Sequence, residues 1–346
     1  MAKPPVKTDD KRPAGSATSY DVARLAGVSQ SAVSRCFKPD ASISEKMRKK
    51  VLAAAAELHY APNAIARSLI TRRSNIVAVL ITEATTRVTP EILFQLNVAL
   101  LRQGLHLLLF SITREMGHDD IIGEVLRYKV DGVIACTTLP PAQIARCRQQ
   151  GIAVVLYNRV APGEQACSVS CDHASANRDI AERLHRGGHR RFAFIAGAAD
   201  APVSQLRLQG FVQRLGELGV GEVAVVHGDL SYRSGHACML ELLARDVAFD
   251  AVVCANDDMA LGAMDAARFD KLLRVPQDIS IVGFDDVAAA ERPPYRLTTV
   301  RQPVEDMART VVRLLLERIA DPGLPPVVTT MPGALIVRAS AHIAAD

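Results

Sequence analysis

The chain has 346 residues, 49% of them apolar and 23% charged, which excludes a disordered polyelectrolyte and allows more than one folded domain. Its net charge of +4 is unevenly spread: residues 1–73 carry 14 lysines and arginines against 6 acidic residues, and the remainder 27 against 31, which makes the N-terminal part the nucleic-acid candidate. No apolar signal-peptide region follows the start and no uninterrupted apolar span of about 18 residues occurs, which points to the cytoplasm and away from a membrane.

Residues 1–17 mix Pro, Gly and charges with almost no large apolar side chain and are expected to form a disordered tail. Thr18 to Arg35, TSYDVARLAGVSQSAVSR, reads as two short helices joined by a turn. Thr18 or Ser19 caps the first, and Val22, Ala23, Leu25 and Ala26 give it an apolar face at helical spacing. Gly27 ends it, because a left-handed C-cap costs glycine no steric penalty. Val28 fills the turn and Ser29 caps a second helix that turns Ala32 and Val33 inward and Gln30, Ser31, Ser34 and Arg35 outward. Hydroxyls, an amide and a guanidinium on one exposed helix can bond base edges and phosphates, where a bland surface helix more often carries Glu/Lys pairs. Ser44 caps a third helix, EKMRKKVLAAAAELHY, with Met47, Val51, Ala54, Ala55 and Leu58 on its inner face and a basic outer face. Pro62 then opens APNAIARSLITRRSN, a helical pattern too short to be stable alone.

From Asn75 the pattern becomes strands alternating with helices. NIVAVLI, HLLLFSI, GVIAC and IAVVLYN form a first series, and RFAFIAG, VAVVHGD, AVVCAND and ISIVGFDD form a second after Cys171, so two open parallel-sheet lobes are more economical than one large sheet. Asn158-Arg159, Asn256-Asp257 and Asp285-Asp286 each follow an apolar strand, where open α/β sheets place ligand contacts.

The order DVARLAGVSQSAVSR, then ISEKMRKKVLAAAAELHYAPNAIARSL, closely resembles the DNA-binding headpiece and hinge of the lactose-repressor/galactose-repressor (LacI/GalR) transcription regulators, and the resemblance runs from about Thr18 to about Ala339. It implies an all-α helix-turn-helix headpiece (18–61), a hinge helix and linker (62–74), and a two-lobed α/β effector domain like a periplasmic binding protein (75–339). Lobe 1 takes 75–171 and 300–328, lobe 2 takes 172–299 and 329–339, and 340–346 is a tail. DNA contacts are expected from Thr18, Tyr20, Ser29, Gln30, Ser31, Ser34, Arg35, Asn63 and Ala66, with Leu69 wedged between base pairs in the minor groove. The S-x-x-R-x-x-G-F segment, Ser204, Arg207, Gly210 and Phe211, brings Arg207 to an effector between the lobes; Asn158, Arg159, Asn256, Asp257 and Asp285 match other cleft positions, although Asp257 can equally be a cap for the helix that follows it.

Two departures bear on the ligand. Where many members carry D-x-x-N-P-F-F after the first strand, this chain has ITEATTRVTPEI, and Leu230 stands where some have an aromatic ring. Losing aromatics and gaining Arg87 beside Arg159 and Arg207 points to an anionic ligand such as a sugar acid or phosphorylated metabolite. No enzyme motif is present: there is no G-x-S-x-G, phosphate-binding loop or H-E-x-x-H, and FIAGAAD has one glycine where a dinucleotide fingerprint needs three. Seven cysteines without a disulfide framework fit a reducing compartment, and the Cys167/Cys171 and His185/His189 pairs read as packing residues, not metal ligands.

The sequence thus describes a ligand-responsive repressor, without catalytic residues, metal or cofactor. It binds palindromic operator DNA as a homodimer, because one helix-turn-helix reads only a short half-site. The alternative is a periplasmic-type solute-binding protein, disfavoured by the basic headpiece and the lack of a signal peptide. No leucine heptads precede the terminal AHIAAD, so a tetramer-forming helix is not expected.

Overall fold

The computed structural model describes residues 17–37, 42–62, 73–82, 90–113, 118–159, 166–199, 201–245 and 248–344. The chain forms two compact units, divided between Ser74 and Asn75.

In the first unit, local capping sets the helix ends. Thr18 and Asp21 form a reciprocal capping box on α1 (Ser19–Ala26), Gly27 closes it at φ +61°, and Ser29 accepts from Ala32 N–H to start α2 (Gln30–Cys36). Ser44 caps α3 (Glu45–Glu57). Val22, Ala23, Ala26, Val33, Cys36, Val51, Ala54 and Ala55 make the core between them. Leu25 and Met47, assigned inward by periodicity, lie at the surface, 46% and 37% exposed. Small side chains leave too little room between these helices for either. The expected N-terminal tail and hinge helix lie outside the described residues, apart from their flanks.

The second unit contains two parallel sheets. The first sheet comprises β1 (Ile76–Thr82), β2 (His106–Ile112), β3 (Gly132–Ala135), β4 (Ala153–Tyr157), β5 (Cys167–Cys171) and a late strand, Val328–Met331, in the order β2-β1-β3-β4-β5-late strand. Helices α4 (Pro90–Leu101), α5 (His118–Arg127) and α6 (Pro141–Gln149) connect its early strands. The chain crosses to the second sheet at Asp172, whose carboxylate caps α7 (His173–Arg186). That sheet is built from β6 (Phe192–Ala196), β7 (Ala224–His227), β8 (Ala251–Cys254) and β9 (Ser280–Val282), in the order β7-β6-β8-β9. Its connecting helices are α8 (Pro202–Glu217), α9 (Tyr232–Ala244) and α10 (Asp257–Asp265), the last running into a π-helical turn, Ala266–Asp270. Strand β10 (Thr299–Arg301) leads back to the first lobe through α11 (Val304–Ala320) and the late strand, β11. β12 (Ala334–Ile336) then pairs antiparallel with β10.

Two expectations change here. β11 pairs parallel with β5 from Val328↔Ser168 to Met331↔Cys171, so the final crossing follows Met331 and not residue 328. Residues 340–344 are no loose tail: Ser340 is fully buried, accepts from Thr298 N–H and donates to Ile281 O, and His342 O accepts from His189 Nε2.

The three crossings pack together. A Cβ on Gly333 would stand 2.6 Å from Val300 Cγ1 and 3.2 Å from Cys171 Sγ, so this third connector tolerates no side chain against the other two. Asp257 holds the second connector from beneath: its carboxylate accepts from Thr299 Oγ1 at 2.5 Å and from Val287 N–H at 2.8 Å. The carboxylate is fully buried beneath the strand, so Asp257 does not line the cavity between the lobes as expected from the motif; it clamps the crossover instead. Burial and the neighbouring Asp285 raise its carboxyl to about 7, against the pull of its two donors.

Two measurements check this packing. Gly262 lets α9 and α10 touch, since a Cβ there would stand 2.0 Å from Tyr232 O; Gly216 has nothing within 4 Å. Gly262→Ala is expected to destabilise by about 2 kcal/mol or more despite its better helix propensity, and Gly216→Ala to stabilise by about 0.5–1 kcal/mol, read by urea unfolding. The native Asp257 carboxyl binds its proton up to about pH 7 and the unfolded one only up to about 3.8, so native protein holds more protons in between and stability falls as pH rises through that window. Asp257→Asn should therefore gain stability relative to wild type by about 1 kcal/mol or more between pH 5 and pH 8, whereas parallel stability curves would contradict the clamp's titration.

Candidate functional site

A cavity of about 440 Å³ in the second unit lies at the C-terminal ends of strands from both sheets. Thr82, Cys136 to Thr138 and Tyr157 to Arg159 face it from the first lobe, and Ala201 to Ser204, Arg207, Leu230, Ala255, Asn256 and Asp285 from the second. Parallel sheets converge their strand ends, helix N-termini and loops at this edge, so polar side chains collect there.

Its floor is a closed hydrogen-bonded ring. Arg207, 4% exposed on α8, donates from Nε to His173 Nδ1 (3.2 Å), from Nη2 to Asp285 Oδ1 (3.1 Å), and from Nη1 to Ala255 O. His173 Nε2 bonds Asn158 Oδ1 (2.8 Å), Asn158 Nδ2 donates to Gln302 Oε1 (3.1 Å), and Gln302 Nε2 donates to Asp285 Oδ1 (2.7 Å). The guanidinium also lies 3.7 Å from the centroid of the Phe284 ring. Arginine only donates, so Nδ1 of His173 is an acceptor and the neutral ring carries its proton on Nε2. Burial, then the charges of Arg207 and Arg159, hold the His173 pKa well below its usual value. Burial raises the Asp285 carboxyl, opposed by Arg207 and Gln302. Backbone strain collects at the same place: Asn158 and Asp285 have positive φ, +53° and +118°.

The structure thus brings together Asn158, Arg159, Arg207, Asn256 and Asp285 of the residues named from sequence. Asn256 has its amide committed, accepting from Met259 N–H and donating to Leu230 O, so it caps α10 as it lines the wall. Arg87 lies outside the described residues. Sequence reasoning missed His173, Gln302 and Tyr157. The rule that found Asn158-Arg159 also applies to Asp172-His173 after CSVSC and to Gln302 after LTTVR, where polar residues follow an apolar strand.

In the headpiece, Tyr20, Ser31, Ser34 and Arg35 are exposed, Tyr20 by 71%. Gln30 donates to Ser19 Oγ at 3.3 Å, which ties α2 to the start of α1. The hydroxyls of Thr18 and Ser29 are engaged in their caps, Ser29 also meeting Ser31 Oγ at 2.9 Å. Asn63, Ala66 and Leu69 lie outside the described residues. Of the weighed metal pairs, Cys167 and Cys171 are buried in β5, and His189 bonds Asp250 and His342 O. Among the described residues no helix is long and apolar enough to cross a membrane.

Comparison with known proteins matches residues 18–63 to the family described as bacterial regulatory proteins, lacI family, and residues 181–341 to a periplasmic binding protein-like domain. The HTH-type transcriptional regulator CelR of Thermobifida fusca is 35% identical over 92% of this chain and 96% of its own length, and the ribose operon repressor of Escherichia coli K12 is 33% identical over 89% and 94%. Among solved structures, a lac repressor dimer bound to operator and the anti-inducer ONPF superposes with TM-score 0.84 at 28% identity, covering 94% of this chain and 99% of that one. A CelR–cellobiose complex gives TM-score 0.72 at 34% identity, with 94% and 99% covered. A DNA-binding headpiece matched to the family model, joined to a two-lobed unit along nearly the whole length of such relatives, sets aside the solute-binding alternative: the chain belongs to the lacI family of bacterial transcription regulators.

Proposed function

We propose that this regulator is a repressor that binds a twofold-symmetric operator as a homodimer and changes its operator affinity when a small metabolite, a sugar or sugar acid or related anion, occupies the cavity between the lobes. The observation that carries this reading is the ring through Arg207: it joins cavity-lining Asn158, Arg207 and Asp285 to His173 and Gln302 on the connectors between lobes. A ligand group that engages Arg207 or Asp285 competes with that ring, so occupancy and lobe geometry are linked, and the linkage is reciprocal. The relatives support the reading by what they are: one solved relative holds cellobiose, and another is a dimer on operator.

On the headpiece, Tyr20, Ser31, Ser34 and Arg35 face the DNA, with Gln30 at the start of the reading helix and Arg35 pairing with a guanine. Asn63, Ala66 and Leu69 supply the hinge contacts, and Thr18 and Ser29 order the helix starts against the phosphates. In the cavity, Asn158, Arg159, Arg207 and Asp285 contact the effector, Asn256 shapes its wall, Asp257 clamps the crossover, and Arg87 stands on the segment after β1.

Operator selection from a random DNA library with the full chain, followed by thermal-shift screening against sugars, sugar acids and sugar phosphates, tests the whole reading. A palindromic consensus and a ligand that both raises the melting temperature and changes operator affinity are expected, because a ligand at 100 times its Kd stabilises by about 2.7 kcal/mol. Failure to enrich any symmetric site would contradict it. Arg35→Ala should cost about 1–3 kcal/mol on the selected operator and relax one base position, checked by competition binding against single-base variants. Arg207→Lys keeps a charge facing Asp285 but lacks the planar fork that reaches His173, Ala255 and Asp285 from three separate nitrogens; the ligand concentration for half-maximal response should rise about tenfold or more, with ligand-free operator affinity within about threefold.

A further inference from the structure

We infer that the effector carries an anionic head, a carboxylate or a phosphate, and that this head is held on the first lobe by Arg159 with Tyr157, not by Arg207. The inference rests on the cavity being the effector site.

The argument is an inventory of donors and acceptors. Arg207 already spends Nε, Nη1 and Nη2 on His173, Ala255 and Asp285, and the Asp285 oxygen facing it takes a second bond from Gln302. Both functions of the Asn256 amide are used. On the opposite wall the balance is reversed. Tyr157 ends β4 with 1% exposure, and its hydroxyl, buried in the cavity lining, has no hydrogen-bond partner. Two residues on, the hydrogen bond that Arg159 makes among the described residues runs from Nη1 to the neighbouring Asn158 O at 2.6 Å. No described carboxylate forms an ion pair with it. Burial, and then repulsion from Arg207, lower its pKa, partly offset by Cys136.

Among the described residues, Glu91 acts on the Tyr157 hydroxyl through its charge but is exposed and bonds neither it nor Arg159. Cys136 lines this wall and Cys171 stands close behind Tyr157; burial pushes both thiols up to about 12, so they remain neutral and are weak acceptors. Asp229 sits at the exposed rim and accepts from Ser231 N–H. Beside the hydroxyls of Thr82, Thr137 and Thr138, the first-lobe wall therefore presents a guanidinium with unspent N–H groups and a phenol O–H that can donate. A neutral polyol brings its own donors to such a wall. A carboxylate or phosphate brings acceptors only, matches the guanidinium fork, and neutralises the half-buried charge.

Isothermal calorimetry of the full chain against matched sets tests this: D-glucose, D-gluconate and D-glucose 6-phosphate, with the corresponding galactose and ribose sets. At least one acid or phosphate is expected to bind about tenfold or more tighter than its neutral parent. Arg159→Gln should reduce that ratio to about threefold or less, and Tyr157→Phe, which removes only the hydroxyl, should weaken the anion about fivefold while leaving the neutral parent unchanged. The phosphate arm is recognised by affinity that rises through about pH 6 as its second proton leaves, the carboxylate arm by affinity flat above about pH 5. A neutral sugar that binds as tightly as its acid and phosphate, an anion preference untouched by Arg159→Gln, or no binding in any arm at about 10 mM would each overturn the inference. If a ligand binds but Arg207→Lys leaves its affinity unchanged, the cavity reading itself fails; if Arg207→Lys weakens a neutral ligand that wins the comparison, only the ligand class does.

Discussion

The ring through Arg207, His173, Asn158, Gln302 and Asp285 is the interaction on which the rest of the effector unit turns. Its direction is forced, because arginine can only donate and an ionised carboxylate can only accept, and the three residues between them must pass hydrogen bonds in one sense. His173 must be neutral with its proton on Nε2, and both amides have one allowed orientation. A buried ion pair contributes little by itself, since desolvation offsets attraction, but removing one partner leaves a buried charge that costs about 3–5 kcal/mol. The ring therefore specifies one arrangement of the cavity floor more than it adds stability, and a half-satisfied version is costly.

What gives the ring reach is where its members sit. Asn158 follows a first-lobe strand, Arg207 and Asp285 belong to the second lobe, and His173 and Gln302 lie on the connectors. Those connectors are packed without slack: Gly333 is pressed against Val300 and Cys171, Asp257 fixes Thr299, and Asp286 pairs with both Arg301 and Arg338 at 2.7 Å. A close-packed hinge has discrete arrangements more readily than continuous ones.

Much of this was legible locally. The capping hydroxyls of Thr18, Ser29 and Ser44 and the left-handed Gly27 act over three or four residues, and the apolar runs became β1 to β4 and β6 to β9, buried on both faces inside the sheets and part-exposed in the edge strands β2 and β7. Asn158, Arg207 and Asp285 stood out by position at strand ends or by family motif. What was not legible depends on distant partners. β11, VTTM, is polar and half-exposed and is a strand because β5 offers an edge; Ser340 is buried because Thr298 and Ile281 need its hydroxyl. Asp257 looked like a ligand contact from its place beside Asn256, yet its direction is fixed by Thr299, 42 residues away. Leu25 and Met47 satisfy helical periodicity, but a headpiece core of alanines and valines has no room for them.

The protonation state of His173 reports on the ring most directly. In the full chain labelled with 15N-histidine, with the signal assigned by its loss in His173→Gln, the imidazole should be neutral at pH 6, with Nε2 protonated and Nδ1 carrying the shift of a hydrogen-bonded acceptor. A His173 ring that titrates near pH 6.5, or that carries its proton on Nδ1, would show that Arg207 does not donate to it and that the floor of the cavity is not closed as described.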